Sequence, residues 1–159
     1  MSSNKLSLIW IVVYSLASVL IFSSAQAASY VWTKETSNYR IYMGIVPAEL
    51  VQHKPRLLDE DKRLHNVRPG EKKGMSHMVV WVYHKPGNAR VLDATLIAEV
   101  GPVSGEKTIK PLEKMKLGLG VSYGNFFKVH QKIEHTVNLK IFNLNSDGFE
   151  EVVFTHQGY

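Results

Sequence analysis

The run His77-Met78-Val79-Val80-Trp81-Val82-Tyr83-His84 is the strongest strand signal in the chain. β-Branched and aromatic residues fill it, and they suit a pleated, packed surface. With a period of two, Met78, Val80 and Val82 share one face, and His77, Val79, Trp81 and Tyr83 share the other. Both faces are largely apolar, so this strand is expected at the centre of a sheet with neighbours on each side.

Working outward toward the C-terminus, Lys85-Pro86-Gly87-Asn88 reads as a turn. Leu92, Ala94, Leu96, Ala98 and Val100 then alternate with Asp93, Thr95 and Glu99. That alternation predicts a strand over 89–101, returning as a hairpin against 77–84. Lys107 to Leu112 reads as a short strand. Lys114 to Val129, KMKLGLGVSYGNFFKV, reads as a loop headed by Met115, with Tyr123-Gly124-Asn125 setting a turn before the strand-like Phe126-Phe127-Lys128-Val129. Val137, Leu139 and Ile141 mark a strand within 135–144. Asn145-Ser146-Asp147-Gly148 reads as a hairpin turn, and Val152 and Phe154 mark a last strand within 149–156.

Toward the N-terminus, Tyr39, Ile41, Met43 and Ile45 alternate with Arg40, Tyr42, Gly44 and Val46, a strand that Pro47 ends. Ala48 to Gln52 is either a helical turn or a continuation of that strand. Residues 53–76 form a long polar loop with Pro55, Pro69, Gly70 and Gly74, in which Leu57 to Leu64 could make two helical turns. Seven or eight short strands separated by turn signals predict an all-β fold, an immunoglobulin-like β-sandwich.

Before these strands lies a targeting segment. Lys5 precedes an uncharged apolar run from Leu6 to Ser24, and Ala25-Gln26-Ala27 is a small-residue cleavage site. Residues 1–27 are therefore expected to be a cleaved signal peptide, with an uncleaved membrane anchor as the alternative, and 28–159 a single domain. The chain has no cysteine, which suits a periplasmic rather than a disulfide-stapled secreted protein. It also excludes zinc fingers, thiolate copper sites, iron–sulfur clusters and cysteine nucleophiles. The net charge of +5 is modest, and the basic residues from Lys54 to Lys73 are mixed with Asp59, Glu60, Asp61 and Glu71. That mixture reads as a solvated loop, with no nucleic acid partner. No G-x-S-x-G, H-E-x-x-H or P-loop motif is present, so no enzymatic activity is expected.

What remains is soft-ligand chemistry. The chain carries seven histidines, and Met75, His77 and Met78 fall within four positions. Imidazole and thioether donors suit copper, especially Cu(I), where no thiolate is available. Met75 and His77 share strand parity, whereas Met78 lies in register with Val80 and Val82 and reads as core, as does Met43 among its apolar neighbours. His53, His65 and His84 read as solvated. His130 and His135 flank a turn, and His156 lies near the chain end, where order is usually poorest.

His77 opening a strand, followed by Met115 and then Ser122-Tyr123-Gly124-Asn125, resembles the periplasmic immunoglobulin-like proteins of bacterial high-affinity iron uptake. In this chain Ser122 stands where that family has a second histidine, and Val79 where it has an acid. The resemblance implies an exported protein that binds copper, or iron, for metal transport or homeostasis. It implies His77 and Met115 as ligands, with Met75 auxiliary and a further ligand from His130, His135 or a partner subunit. The expected partners are a second copy of the chain, or a membrane metal transporter or envelope protein. The alternative is a non-metal envelope accessory or adaptor domain that binds a protein partner through the Val79, Trp81 and Tyr83 stripe.

Overall fold

The computed structural model describes residues 31–52, 73–117, 120–130, 132–143 and 148–157. The expected signal segment, most of the polar loop with its Leu57–Leu64 turn, and most of the 145–148 hairpin turn lie outside the described residues. The strands are β1 (Val31–Glu35), β2 (Tyr39–Pro47), β3 (Ser76–His84), β4 (Ala94–Pro102), β5 (Thr108–Leu117), β6 (Gly120–Phe127), β7 (Glu134–Asn143) and β8 (Phe149–Gln157). One short helix, α1 (Ala48–Gln52), follows β2. It settles the ambiguous stretch after Pro47 as helical. Its first amide donates to the Met75 carbonyl at 3.0 Å.

All eight strands join one antiparallel sheet in the order β1-β2-β3-β6-β5-β4-β7-β8. The sheet is nearly closed, because β1 and β8 meet at the seam. There the Trp32 and His156 rings touch edge to face at 4.8 Å, and Lys34 Nζ stands 5.9 Å from the Phe154 ring centre. The all-β expectation holds, and the arrangement is compatible with an immunoglobulin-like sandwich. Its two halves share β5. Among the described residues no helix is long and apolar enough to cross a membrane.

The strand alternation decides the core. Tyr39, Ile41, Met43 and Ile45 of β2 point inward and meet Met78, Val80 and Val82 of β3. Tyr123 and Phe127 of β6, Leu96, Ala98 and Val100 of β4, Val137, Leu139 and Ile141 of β7, and Val152 and Phe154 of β8 complete it. Met43 and Met78 are fully buried, as their parity required. β3 is central, flanked by β2 along its whole length and by β6 over Ser76–Val80.

Two expectations need correction. First, β4 does not form a hairpin with β3, because β2 and β6 already occupy both edges of β3. Only residues 89–91 fold back, with His84 N–H donating to Ala89 O, Val91 N–H to Val82 O, and a bridge between Tyr83 and Arg90. Leu92 is exposed rather than core. The chain then crosses to pair β4 with β5 and β7, held at the crossing by Tyr123, whose hydroxyl donates to Val91 O and accepts from Ala94 N–H. Second, Met115 is not in a loop, and Tyr123-Gly124-Asn125 is not a turn. Met115 lies within β5, and the three residues lie within β6, where Glu113 pairs with Gly124 and Met115 with Ser122. His135, beside its turn, and His156, near the chain end, are both buried, being 1% and 2% exposed. They stand opposite each other on β7 and β8, on the inward face.

That buried histidine pair has a consequence for acid stability. His135 Nε2 accepts from the His130 amide at 3.1 Å, and Nδ1 lies 2.8 Å from Ile133 O. Burial, aided by the neighbouring His135, holds the His156 ring below its ordinary value of 6.5. The folded protein therefore takes up a proton at His156 less readily than the unfolded chain. This contribution to stability is complete above pH 6.5 and is lost as pH falls below it. Urea unfolding at pH 7.5 and 5.5 should show a smaller loss for His156→Leu than for the parent protein. The window lies above the range in which carboxylates titrate.

Candidate metal site

His77, Val79 and Trp81 face away from the core on β3. In an antiparallel ladder, residues opposite one another project to the same side. The pairings His77–Phe126, Val79–Gly124, Glu113–Gly124 and Met115–Ser122 therefore place His77, Met115, Glu113, Ser122 and Gly124 on one patch of the outer face, across three adjacent strands. This patch is not open surface. His77 is 6% exposed, Met115 3% and Ser122 fully buried.

Gly124 is the centre of the patch. The point where a Cβ would stand on Gly124 is 2.6 Å from Met115 Cε, 2.6 Å from Met78 O and 3.2 Å from His77 Nε2. The imidazole nitrogen and the thioether methyl thus approach one another over Gly124, and the methyl occupies room that a side chain there would need. Glycine inside a strand commonly marks such a close approach. The His77 ring is also stacked on Phe126, with centres 4.6 Å apart and planes 26° from parallel. That stacking fixes the plane in which its nitrogens lie.

Of the three candidate ligands from the sequence, His77 and Met115 come together here. Met75 sits one residue before β3, half-buried, and is not among the atoms nearest the Gly124 space. Met78, as expected, points into the core and offers the patch only its carbonyl. His135 lies at the start of β7, opposite His156, and His130 precedes that strand with its amide on the His135 ring; neither is among the atoms nearest the Gly124 position.

One residue of the patch, Glu113, carries no signal in the sequence alone. Glu113 faces Gly124 across the β5–β6 ladder, and desolvation raises its carboxyl above the ordinary value. Its signal was its spacing of two from Met115, legible only once Met115 was known to be in a strand. Ser122 Oγ is buried with no hydrogen-bond partner among the described residues, directly opposite Met115. No cluster of three or more histidine, cysteine, aspartate or glutamate side chains suited to a metal occurs among the described residues. The side chains that do meet are of mixed type, an imidazole nitrogen and the methyl end of a thioether, with a carboxylate and a hydroxyl on the same patch. The Val79, Trp81 and Tyr83 stripe is not an exposed apolar surface either, since Val79 is buried and the two aromatics are half-buried.

No family model and no curated protein matches the sequence. Solved structures do. A DUF4426 family protein from Pseudomonas aeruginosa PAO1 is 10% identical, with a TM-score of 0.58 over 79% of this chain and 92% of that one. A copper-bound variant of FetP from uropathogenic Escherichia coli strain F11 is 13% identical, with a TM-score of 0.58 over 81% of this chain and 96% of that one. At these identities the chain shares with both proteins its fold, as a distant structural relative.

Proposed function

We propose that this protein binds a copper ion at the Gly124 space, with His77 and Met115 as ligands, and that it serves metal transport or homeostasis in the cell envelope. The observation that carries this reading is the convergence of His77 Nε2 and Met115 Cε on one buried point between β3, β5 and β6. An imidazole and a thioether in a site without thiolate favour Cu(I) among biological metals, with iron the less suited alternative. Glu113 adds an anionic oxygen to the same patch, which would help the site tolerate Cu(II). A copper-bound protein of the same fold adds support at the level of architecture.

In this reading the chain is a carrier, not a catalyst. Export through the 1–27 segment places it in the periplasm, and its counterpart is a membrane metal transporter or a second copy of the chain. Burial of the donors fits a role in holding copper rather than exposing it to redox cycling.

Titration of the purified protein with Cu(I), in competition with a chelator of known affinity, tests the assignment. One ion per chain is expected, and His77→Ala with Met115→Ala together should weaken binding by more than about a hundredfold. Unchanged affinity in that double variant would sink the site.

A further inference from the structure

On the same outer face, toward the other end of β3, a groove of about 450 Å³ is lined by Val31, Tyr42, Trp81, Tyr83, Asn88 and Arg90. Tyr42 stands opposite Trp81 in the β2–β3 ladder, and its ring meets that of Tyr83 edge to face at 5.6 Å. Three aromatic rings from two adjacent strands thus wall one concavity.

Arg90 is fixed within it. Its Nη2 donates to the Tyr83 hydroxyl at 2.6 Å, and its guanidinium lies over the Tyr83 ring, 5.2 Å from the centre. On its other side it packs against Gly120, so closely that a Cβ there would collide with Nη1. An arginine wedged between a ring and a glycine has lost most of its rotamer freedom before any ligand arrives, which lowers the cost of binding.

Arg40, which also reaches the groove-lining Asn88, and its neighbour Lys85 both hold Glu35, at 2.7 and 2.8 Å. Among the described residues no carboxylate forms a salt bridge with Arg90. With Nη2 on the Tyr83 hydroxyl, the remaining N–H groups of a pre-positioned guanidinium match a carboxylate oxygen, and aromatic walls match a flat apolar body. The volume lies in the range of small-molecule sites.

We infer that the Trp81–Arg90 groove binds a small planar organic carboxylate, its ring against Trp81 and Tyr42 and its carboxylate on Arg90. This site is separate from the Gly124 space and does not depend on copper.

The test is an NMR titration of the full-length metal-free protein with benzoate, benzamide and phenyl phosphate, following the indole N–H of Trp81. Benzoate should shift that resonance saturably, and benzamide should bind at least about tenfold more weakly, because it is neutral. Arg90→Gln should weaken benzoate to a similar degree. Equal binding of benzoate and benzamide would overturn the inference, as would an undiminished benzoate affinity in a folded Arg90→Gln protein. Tighter binding of phenyl phosphate than of benzoate would overturn the carboxylate assignment. The absence of any saturable shift would overturn the site altogether. The benzoate–benzamide comparison uses the parent protein, so it decides the matter even where Arg90→Gln does not fold.

Discussion

Replacing Gly124 with alanine should both destabilise the protein and disable the proposed copper site. The new methyl would stand 2.6 Å from Met115 Cε and 2.6 Å from Met78 O, distances that real Cβ atoms do not show. The methionine methyl is the end of a flexible side chain and can swing aside. The Met78 carbonyl is backbone in the centre of the sheet, in the ladder where Asn125 faces Met78, so the β3–β6 ladder itself must shift. Overpacking of this kind costs about 1–3 kcal/mol. Either response harms the site, because Met115 leaves the shared point or the strands that carry His77 and Met115 move apart. A fall in the urea midpoint, with copper affinity lowered by about 10–100-fold, is the expected outcome. Parent-like affinity in this variant would show that the Gly124 space is not where copper binds.

Phe154→Ala should give the opposite division of effects. Phe154 is 1% exposed and points inward from β8, close to the seam with β1, where Lys34 lies near its ring. Its removal leaves a cavity where the sheet closes on itself, at a cost of about 3–5 kcal/mol. That is a large share of a typical domain's total of roughly 5–15 kcal/mol. The patch proposed for copper lies on the outer face of β3, β5 and β6, and none of its members packs on Phe154 among the described contacts. At a temperature where the variant remains folded, its copper affinity should match that of the parent. A thermal or urea melt paired with the copper titration separates scaffold from site. A joint loss of both at low temperature would mean that the site depends on seam closure.

The two variants also mark where the sequence was legible. Alternation placed the inward residues of β2, β3, β7 and β8 correctly, because period two is a property of one strand and needs no knowledge of its neighbour. Partner choice was not legible. The 94–102 strand reads as half of a hairpin until one knows that both edges of β3 are taken. Gly124 was misread for a related reason. Ser-Tyr-Gly-Asn has the composition of a turn, and only the pairing of β6 with both β3 and β5 turns its glycine into a close-packing point. Position near a turn or a terminus left the environment of His135 and His156 open. Their parity, shared with Val137 and Phe154 respectively, carried the information that they face the core.

The same reasoning explains the split among the candidate ligands. His77 and Met115 lie on different strands, and their meeting depends on the β3–β6–β5 order, which no local pattern encodes. Met75 looked attractive through its sequence proximity to His77, yet it falls just outside the strand whose geometry positions the site. Glu113 was overlooked because Met115 had been placed in a loop. Once β5 runs through to Leu117, residues 113 and 115 necessarily share a face.

The central claim is that Met115 and His77 bind one copper ion, and X-ray absorption at the copper edge of the Cu(I)-loaded protein tests it most directly. One sulfur scatterer at roughly 2.3 Å, together with nitrogen or oxygen at roughly 2.0 Å, is expected. The sulfur should vanish in Met115→Leu, a change that nearly conserves side-chain volume. A spectrum with no sulfur neighbour, or a sulfur signal that survives Met115→Leu, would contradict the account.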